Sequence, residues 1–164
     1  MKEWLVAGAV IEGPDGFLLV ANRRRGGAID WSTPGGVVDD GESVLEGLGR
    51  EVTEETGLVV SAWEGPIYEI ETVAPDLGWH LRVEVHRALG FTGELVVDDP
   101  DGIVVDACWV PHGECAPRLA DSHQWVREPL TAWMAERWES PRSFRYRLTG
   151  SQPADYRVSL EPEP

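Results

Sequence analysis

Apolar runs alternate with clusters of turn residues in the N-terminal part of the chain. The runs GAVIE and FLLVAN, residues 8–12 and 17–22, flank a Gly-Pro-Asp-Gly sequence, which is the pattern of two short strands joined by a tight connection. A basic segment, residues 23–27, leads towards WSTPGGVVDDGES, residues 31–43. The proline and glycines of that segment predict a shaped loop rather than a regular element.

The clearest helix signal begins directly after this loop. Ser43 and Glu46 have the spacing of a capping box, in which the side chain of each residue bonds the backbone N–H of the other. Gly57 suits the position just after a helix, where the backbone is often left-handed. The apolar residues between them recur on one side of a helix: Val44, Leu45, Leu48 and Val52. The sequence therefore predicts a helix between Ser43 and Gly57.

The rest of the chain alternates between strands and a helix, as expected for one mixed α/β domain. The pattern predicts strands over residues 59–72, 80–90 and 104–110. Residues 121–139 have the apolar spacing of a helix, although Pro129 is expected to kink or divide it. We expect one domain over residues 1–139 and a C-terminal extension over residues 140–164. This extension is rich in Pro, Arg and Glu and is either docked on the domain or partly disordered.

Composition and charge narrow the classes of partner. The chain has 164 residues, 42% of them hydrophobic, which is enough for one domain with a sizeable core. No apolar run approaches the roughly 18 to 20 residues of a membrane span. The apolar start lacks a signal-peptide cleavage site and two cysteines are too few for a disulfide framework, so we expect a cytoplasmic protein. The formal net charge of -15 argues against a nucleic-acid polymer or an anionic membrane as partner, and leaves a small-molecule ligand and a homodimer open.

Three glutamates crowd one face of the predicted helix. Glu54 and Glu55 follow Glu51 by three and four residues, so the charges repel if the segment is helical. Hard oxygen ligands of this kind suit Mg²⁺ or Mn²⁺, which would cancel the repulsion. The carbonyl of Gly36 is a further candidate ligand because glycine lets the backbone approach closely, and Arg50 can hold a glutamate bidentately. The alternative is a solvated acidic helix face.

The spacing of these residues favours the metal site over the solvated face. Residues 36–58 have the pattern G-x5-E-x7-R-E-V-x-E-E-x-G-L. This segment resembles the Nudix hydrolase family, whose motif it matches at every fixed position, and the flanking strands also look like the fold of that family. The resemblance implies an α/β fold, an α/β/α sandwich with a mixed β-sheet, for the domain over residues 1–139.

The same resemblance implies an enzyme that hydrolyses a nucleoside diphosphate linked to another group X, with Mg²⁺ or Mn²⁺ as cofactor. It makes Gly36, Glu51, Glu54 and Glu55 metal ligands. It also makes Glu51, Glu54 and Arg50 catalytic residues, with Glu51 or a glutamate outside the motif as the candidate base. Metal at the phosphates would offset their charge and lower the pKa of a bound water. The alternative function is a sensor with the same fold that binds a nucleotide without hydrolysing it.

Residues outside the motif supply further candidates. Arg23 and Arg24 precede it and are predicted to bind substrate phosphates, with an exposed basic turn as the alternative. Four aspartates, one of which could be a metal ligand or base, lie in a segment that is also an ordinary turn sequence: Asp98, Asp99, Asp101 and Asp106. Four other residues have a spacing that matches no zinc motif and are expected to be structural: Cys108, His112, Cys115 and His123. Trp31 or Trp79 is a candidate for stacking on a base.

The sequence predicts a class of substrate and not one compound. Pro75 follows Leu58 at a distance similar to that of a proline associated with ADP-ribose hydrolysis in the Nudix family. The MutT-like nucleoside triphosphate hydrolases of the family also have a proline near that position. A nucleoside triphosphate or an ADP-ribose-like nucleotide sugar is therefore expected, with no base selected.

Overall fold

Two β-sheets and three α-helices form residues 1–162, the part of the chain that this computed structural model describes. The strands, in chain order, are β1 (Lys2–Val10), β2 (Glu12–Gly13), β3 (Gly16–Arg23), β4 (Ile29–Ser32), β5 (Gly35–Val37), β6 (Val59–Ala74), β7 (Trp79–Thr92), β8 (Val104–Val110), β9 (Arg142–Thr149) and β10 (Arg157–Glu161). The helices are α1 (Val44–Thr56), α2 (His112–Arg118) and α3 (Gln124–Glu136), and a short 3-10 helix spans Pro153–Asp155.

The larger sheet has six strands in the order β10-β9-β6-β7-β1-β5. In this sheet β1 is parallel to β7 and β9 is parallel to β6, whereas the other neighbours are antiparallel. In the smaller sheet, β3 pairs with β2, β4 and β8, and a turn at residues 14–15 connects β2 to β3. The predicted α/β class with a mixed sheet is confirmed, and so are the N-terminal hairpin and the three later strands.

The N-terminus of α1 is fixed by the predicted capping box. The N–H of Glu46 donates to Ser43 Oγ (3.1 Å), and the N–H of Ser43 donates to Glu46 Oε2 (3.2 Å). Gly57 follows the helix with a φ of 80°, a left-handed conformation that glycine adopts without steric cost. The predicted helix is confirmed, so the three glutamates belong to one helical element.

The entry to α1 is more regular than the sequence predicted. The expected loop over residues 31–43 instead contains the end of β4 and all of β5. Gly35 pairs with Gly8 of β1 and has a φ of 155°, and an added Cβ at Gly35 would overlap the carbonyl oxygen of Ala7. Because these positions lack side chains, two backbones can approach closely and a glycine-rich segment becomes an edge strand.

Pro129 does not divide the helix in which it lies. Residues 124–136 form one helix, α3, which is shorter than the predicted span of residues 121–139. Trp125, Trp133 and Pro129 itself are buried in the core, so packing outweighs the helix-breaking cost of about 3 kcal/mol. The short helix α2 was absent from the sequence prediction because it has no apolar repeat, and Cys115 is its buried residue.

The C-terminal residues contribute two strands to the larger sheet. β9 pairs in parallel with β6 from Tyr68 to Val73, and β10 pairs with β9 in the antiparallel direction. Tyr146 of β9 is fully buried, and its hydroxyl donates to Glu128 of α3 (3.0 Å). Packing against partners distant in the sequence holds β9 in the sheet, a context that strand propensity alone does not contain.

Two apolar clusters position α1 and α3. Leu48 and Val52 of α1 pack with Ala7 and Ala9 of β1, whereas α3 packs through Trp133 into a second cluster that includes residues of β3, β6 and β9. α1 therefore has one side fixed against the sheet, and its position relative to β1 and β5 is set by core packing. Within residues 1–162, no helix has the length and apolar character needed to cross a membrane.

Candidate active site

A cavity of about 700 Å³ is lined by residues of both sheets, α1, α3 and the loop before β8. One region of its wall is acidic and contains Glu51, Glu54, Glu55, Asp99 and Asp101. Another region is apolar and contains Tyr68, Ile70, Leu81, Val83, Val85 and Trp125. A site of this kind suits a ligand with both an apolar part and a charged part.

Arg50 lies among the carboxylates and links two of the three glutamates. Its Nε and Nη2 donate to the two carboxylate oxygens of Glu42, both at 2.9 Å. Its Nη1 donates to Glu51 Oε1 (3.1 Å) and to Glu54 Oε2 (3.3 Å). The planar guanidinium makes this set of contacts possible. Arg50 therefore orients Glu51 and Glu54 and compensates part of their mutual repulsion.

The backbone of β5 contacts the glutamates from another side. The N–H of Gly35 donates to Glu55 Oε2 (3.1 Å). An added Cβ at Gly36 would lie 2.6 Å from Cδ of Glu51, so any larger residue at this position would collide with the carboxylate. The structure thus brings all four predicted metal-site residues to one cavity: Gly36, Glu51, Glu54 and Glu55.

The environment raises the pKa of two carboxylates at the site and lowers that of a third. Burial raises the pKa of Glu55 to about 9, and the charge of Glu51 adds to this shift. Burial also raises the pKa of Glu51 above its ordinary value, although the hydrogen bond from Arg50 opposes the change. The hydrogen bonds from Arg50 lower the pKa of Glu42 to about 2. At neutral pH without a metal ion, Glu42 is therefore ionised and Glu55 carries a proton.

These donors fit a divalent metal ion such as Mg²⁺ or Mn²⁺. Carboxylates and backbone carbonyls are the hard oxygen ligands that such ions prefer. A cation would favour the ionised form of Glu55, whose pKa is raised by burial and, to a lesser extent, by the charge of Glu51. In residues 1–162 as they stand, no three Asp, Glu, His or Cys side chains converge closely enough to surround an ion. Arg50 lies between Glu51 and Glu54 instead. Ligation by these residues therefore stays a prediction.

The loop before β8 adds acidic residues to the cavity wall. Of the four aspartates considered from the sequence, Asp99 and Asp101 line the cavity. The charge of Asp99 contributes to the raised pKa of Glu55, and that of Asp101 to the raised pKa of Glu51. Asp99 also stabilises the loop, because its carboxylate accepts three backbone N–H groups within it. It therefore combines the predicted turn role with a place in the cavity wall.

Of the two arginines predicted to bind substrate, Arg24 lines the cavity and Arg23 does not. Asp30 holds Arg24 in a bidentate ion pair, with Nε to Oδ2 at 2.7 Å and Nη2 to Oδ1 at 2.9 Å. Arg23 is exposed outside the cavity wall. A substrate phosphate would have to compete with Asp30 for Arg24, and the binding role of both arginines stays a prediction.

Trp125 is an aromatic residue of the cavity wall that the sequence pattern did not single out. The imidazole ring of His123 stacks on its indole ring, with centroids 4.3 Å apart and an interplanar angle of 8°. Trp31 and Trp79 pack against the core and do not line the cavity. The chain has eight tryptophans, and no sequence signal distinguishes the one in the cavity wall, so tertiary structure is needed to choose among them.

The four residues considered for zinc have other contacts. His112 Nε2 lies 2.6 Å from Glu12 Oε2, and the thiol of Cys115 donates to the carbonyl of Val110 (3.5 Å). No metal-holding group of His, Cys, Asp and Glu side chains occurs in residues 1–162. Cys108 lies in β8, His112 and Cys115 lie in α2, and the structural role expected for these residues stays a prediction.

Sequence comparison identifies the family to which this chain, with its glutamate-bearing helix α1, belongs. Residues 2–134 match the family model described as NUDIX domain. The chain belongs to the NUDIX family. The match runs from β1 into α3, so it includes α1 and all the elements that line the cavity.

Two relatives from Mycobacterium tuberculosis are about one-third identical to the NUDIX chain over the regions that match. The protein named "Putative 8-oxo-dGTP diphosphatase 2" is 31% identical over 124 residues, which cover 67% of this chain and 86% of the relative. The protein named "Putative mutator protein MutT4" is 34% identical over 129 residues, which cover 73% of this chain and 50% of the relative. The matched region therefore spans half the length of the MutT4 protein.

A solved structure has the same fold. The crystal structure of a MutT protein from Bacillus halodurans matches with a TM-score of 0.67 and 23% sequence identity, and the match covers 98% of this chain and 99% of the other. The similarity confirms the Nudix-type fold over nearly the whole chain.

Proposed function

We propose that the protein is a Mg²⁺- or Mn²⁺-dependent hydrolase that cleaves a pyrophosphate bond in a nucleoside diphosphate linked to another group. The observation that carries the proposal is that Glu51, Glu54 and Glu55 line one cavity whose wall also has an apolar region. A nucleotide has the matching two parts, since its phosphates are charged and its base is flat and largely apolar. Membership of the NUDIX family supports the same class of reaction.

Glu51, Glu54 and Glu55 would hold the metal ion, with the carbonyl of Gly36 as a further ligand. A bound Mg²⁺ supplies positive charge beside the phosphates and lowers the pKa of a water molecule. In the reaction, the water oxygen attacks a phosphorus atom and the bridging P–O bond breaks, with its electron pair leaving on the departing phosphate. Glu51, or a glutamate outside the motif, is the candidate base for the water proton, and burial raises the pKa of Glu51 above its ordinary value. Arg50 keeps Glu51 and Glu54 oriented for these roles.

The substrate that we propose is a nucleoside triphosphate, with an ADP-ribose-like nucleotide sugar as the alternative. The name of the mycobacterial diphosphatase relative supports the triphosphate. Trp125 and Tyr68 in the apolar wall offer aromatic surface to a base. The net charge of -15 disfavours nucleic-acid polymers. The proposed partner is therefore a small nucleotide of the cytoplasm. The protein binds it as a monomer or a homodimer.

The test is hydrolysis of a panel of nucleoside triphosphates and nucleotide sugars with Mg²⁺ or Mn²⁺, measured as release of phosphate or pyrophosphate. We expect turnover of at least one compound, and we expect Glu54→Gln to lower it by about 100-fold, as disruption of a metal site commonly does. Glu64→Gln is the matched control, because Glu64 is exposed outside the cavity. Binding of a nucleotide without turnover by the wild type would favour the sensor, and full activity of Glu54→Gln would remove α1 as the metal site.

A further inference from the structure

One polar side chain of the cavity wall has no role in the chemistry proposed above. Asn22 of β3 is only 7% exposed and lines the same cavity as the glutamates. It follows a buried apolar run, Phe17–Ala21. The pairing of β3 with β8 shifts register between Ala21 and Asn22. Irregularities of this kind often redirect a side chain next to a functional site.

The amide of Asn22 has a defined orientation. Its Nδ2 donates to Ser32 Oγ (2.9 Å) and to Asp30 Oδ1 (3.2 Å). The hydroxyl of Ser32 donates its own proton to the carbonyl of Thr33 (3.0 Å), so Ser32 Oγ accepts from Asn22. Asp30 accepts from Arg24 with both carboxylate oxygens and is an acceptor here as well. Exchanging the amide oxygen and nitrogen of Asn22 would place its oxygen against two acceptors.

This orientation leaves the carbonyl oxygen of Asn22 as an acceptor without a donor. Within residues 1–162, no group donates to Asn22 Oδ1. Asn22 Oδ1 is not one of the side-chain atoms that are fully enclosed and lack a partner, so it keeps access to open space. Because Asn22 is nearly buried and lines the cavity, that space is the cavity. A ligand that places an N–H or O–H donor in this part of the cavity can therefore bond to this acceptor.

We propose that Asn22 determines substrate specificity by accepting a hydrogen bond from the nucleoside part of the substrate. The inference rests on the proposed function. Phosphate oxygens are acceptors and cannot fill this role, whereas an N–H of the base and an O–H of the sugar are both donors. Asn22 therefore selects nucleosides that place a hydrogen-bond donor against it. The acidic residues have the separate role of holding the metal ion at the phosphates.

The experiment measures the binding of non-cleavable α,β-imido nucleoside triphosphates by calorimetry in the presence of Mg²⁺. The compound that binds most tightly to the wild type is compared with analogues that each lack one donor: the exocyclic amino group, a ring N–H, the 2′-hydroxyl or the 3′-hydroxyl. The same series is run on Asn22→Ser, whose hydroxyl is one bond too short to replace Oδ1. Thr33→Val is the control for a change elsewhere in the cavity wall.

We expect the wild type to bind one analogue about tenfold or more weakly than the parent, as for a lost buried hydrogen bond. Asn22→Ser should bind the parent and that analogue equally, and Thr33→Val should keep the wild-type ratio. The analogue that shows the effect identifies the donor as a base N–H or a sugar O–H. The exchange variant Asn22→Asp/Asp30→Asn restores an acceptor at position 22 and should recover the discrimination.

The inference is wrong if all analogues bind the wild type equally, or if Asn22→Ser weakens every ligand by one common factor. Either result would leave hydrolysis by the glutamate site unaffected. Conversely, discrimination through Asn22 with no hydrolysis of any cleavable nucleotide would reject the proposed reaction and keep the specificity role. If no nucleotide binds the wild type, both proposals fail.

Discussion

Gly36 and Glu51 approach so closely that the smallest side chain would not fit between them. An added Cβ at Gly36 would lie 2.6 Å from Cδ of Glu51 and 2.7 Å from its Oε1. Arg50 contacts the same Oε1 atom through a hydrogen bond of 3.1 Å. The carboxylate of Glu51 is therefore held between the backbone of β5 and the guanidinium of Arg50.

Gly36→Ala should displace Glu51 and lower kcat/KM by about 100-fold, because misplacement of a catalytic group by about 1 Å can have that effect. The fold should remain, since the collision involves the end of a side chain that can rotate. Steady-state kinetics and a thermal melt on the same sample measure the two effects.

Gly49→Ala is the matched control on α1. An added Cβ at Gly49 meets no atom within 4 Å, and alanine favours a helix over glycine by about 0.5 to 1 kcal/mol. This variant should be more stable than the wild type and equally active. Equal losses of activity in Gly36→Ala and Gly49→Ala would show that the site tolerates no change in this region, and that the contact with Glu51 is not the cause.

Glu55 should destabilise the metal-free protein as the pH rises. Its pKa is about 9 in the folded protein and 4.5 ordinarily, so above pH 4.5 the unfolded chain loses a proton that the folded chain retains. The free energy of unfolding therefore falls between pH 4.5 and pH 9. Without metal, Glu55→Gln should be more stable than the wild type by about 1 kcal/mol or more at pH 8, and nearly equal to it at pH 4.5. Urea unfolding at both pH values measures the difference.

Added Mg²⁺ should make the wild type more stable than Glu55→Gln at pH 8, the reverse of the order without metal. An ion that binds only the folded state stabilises it by about 2.7 kcal/mol at a hundred times its dissociation constant. The wild type should gain this stability and Glu55→Gln much less. A similar gain in both proteins at constant ionic strength would mean that Mg²⁺ acts on the overall negative charge of the chain and not at this site.

Glu12 should stabilise the fold at neutral pH and lose its effect in acid. Arg137 donates to both of its carboxylate oxygens (3.0 and 2.8 Å), and these bonds, with that to His112, lower the pKa of Glu12 to about 2. The stabilisation is complete above pH 4.5 and disappears as the pH falls towards 2. Glu12→Gln should cost about 1 kcal/mol at pH 7 and nothing near pH 2. Glu69→Gln, at an exposed position, should show no such pH-dependent difference.

Ser43→Ala should weaken α1 without changing the chemistry. The substitution removes the acceptor for the N–H of Glu46 and should cost about 1 kcal/mol in the free energy of unfolding. Turnover at a temperature where the variant is folded should equal that of the wild type. A large loss of turnover with unchanged stability would instead place Ser43 in the active site. Ser159→Ala, on an exposed strand position, controls for loss of a hydroxyl.

The sequence predicts those helices and strands that are determined by residues close together in the chain. The bounds of α1 follow from Ser43, Glu46 and Gly57, which act within one or two turns of the helix. The strand from Val104 to Val110 was also predicted with its observed bounds. The grouping of the three glutamates needed only helical geometry, because residues three and four positions apart share a helix face.

Features that depend on distant partners were not predictable in the same way. β9 is a strand because β6 pairs with it, and β5 exists because glycines let it approach β1. Trp125 and Asn22 lie in the cavity wall through the packing of two sheets and α3, and neither belongs to a sequence motif. Pro129 stays within a helix because buried neighbours compensate for its missing N–H.

The C-terminal strands cover an edge of β6 in the larger sheet. β6 has 16 residues, and a strand of that length with unpaired N–H and C=O groups along one edge would attract strands from other chains. β9 covers part of that edge, and the outermost strand, β10, has only five residues with Arg157 and Glu161 at its ends. A short, charged border is a poor template for further pairing. A chain that stopped after α3 would keep the residues that line the cavity. It would also expose the unpaired edge of β6, and we expect it to precipitate more readily.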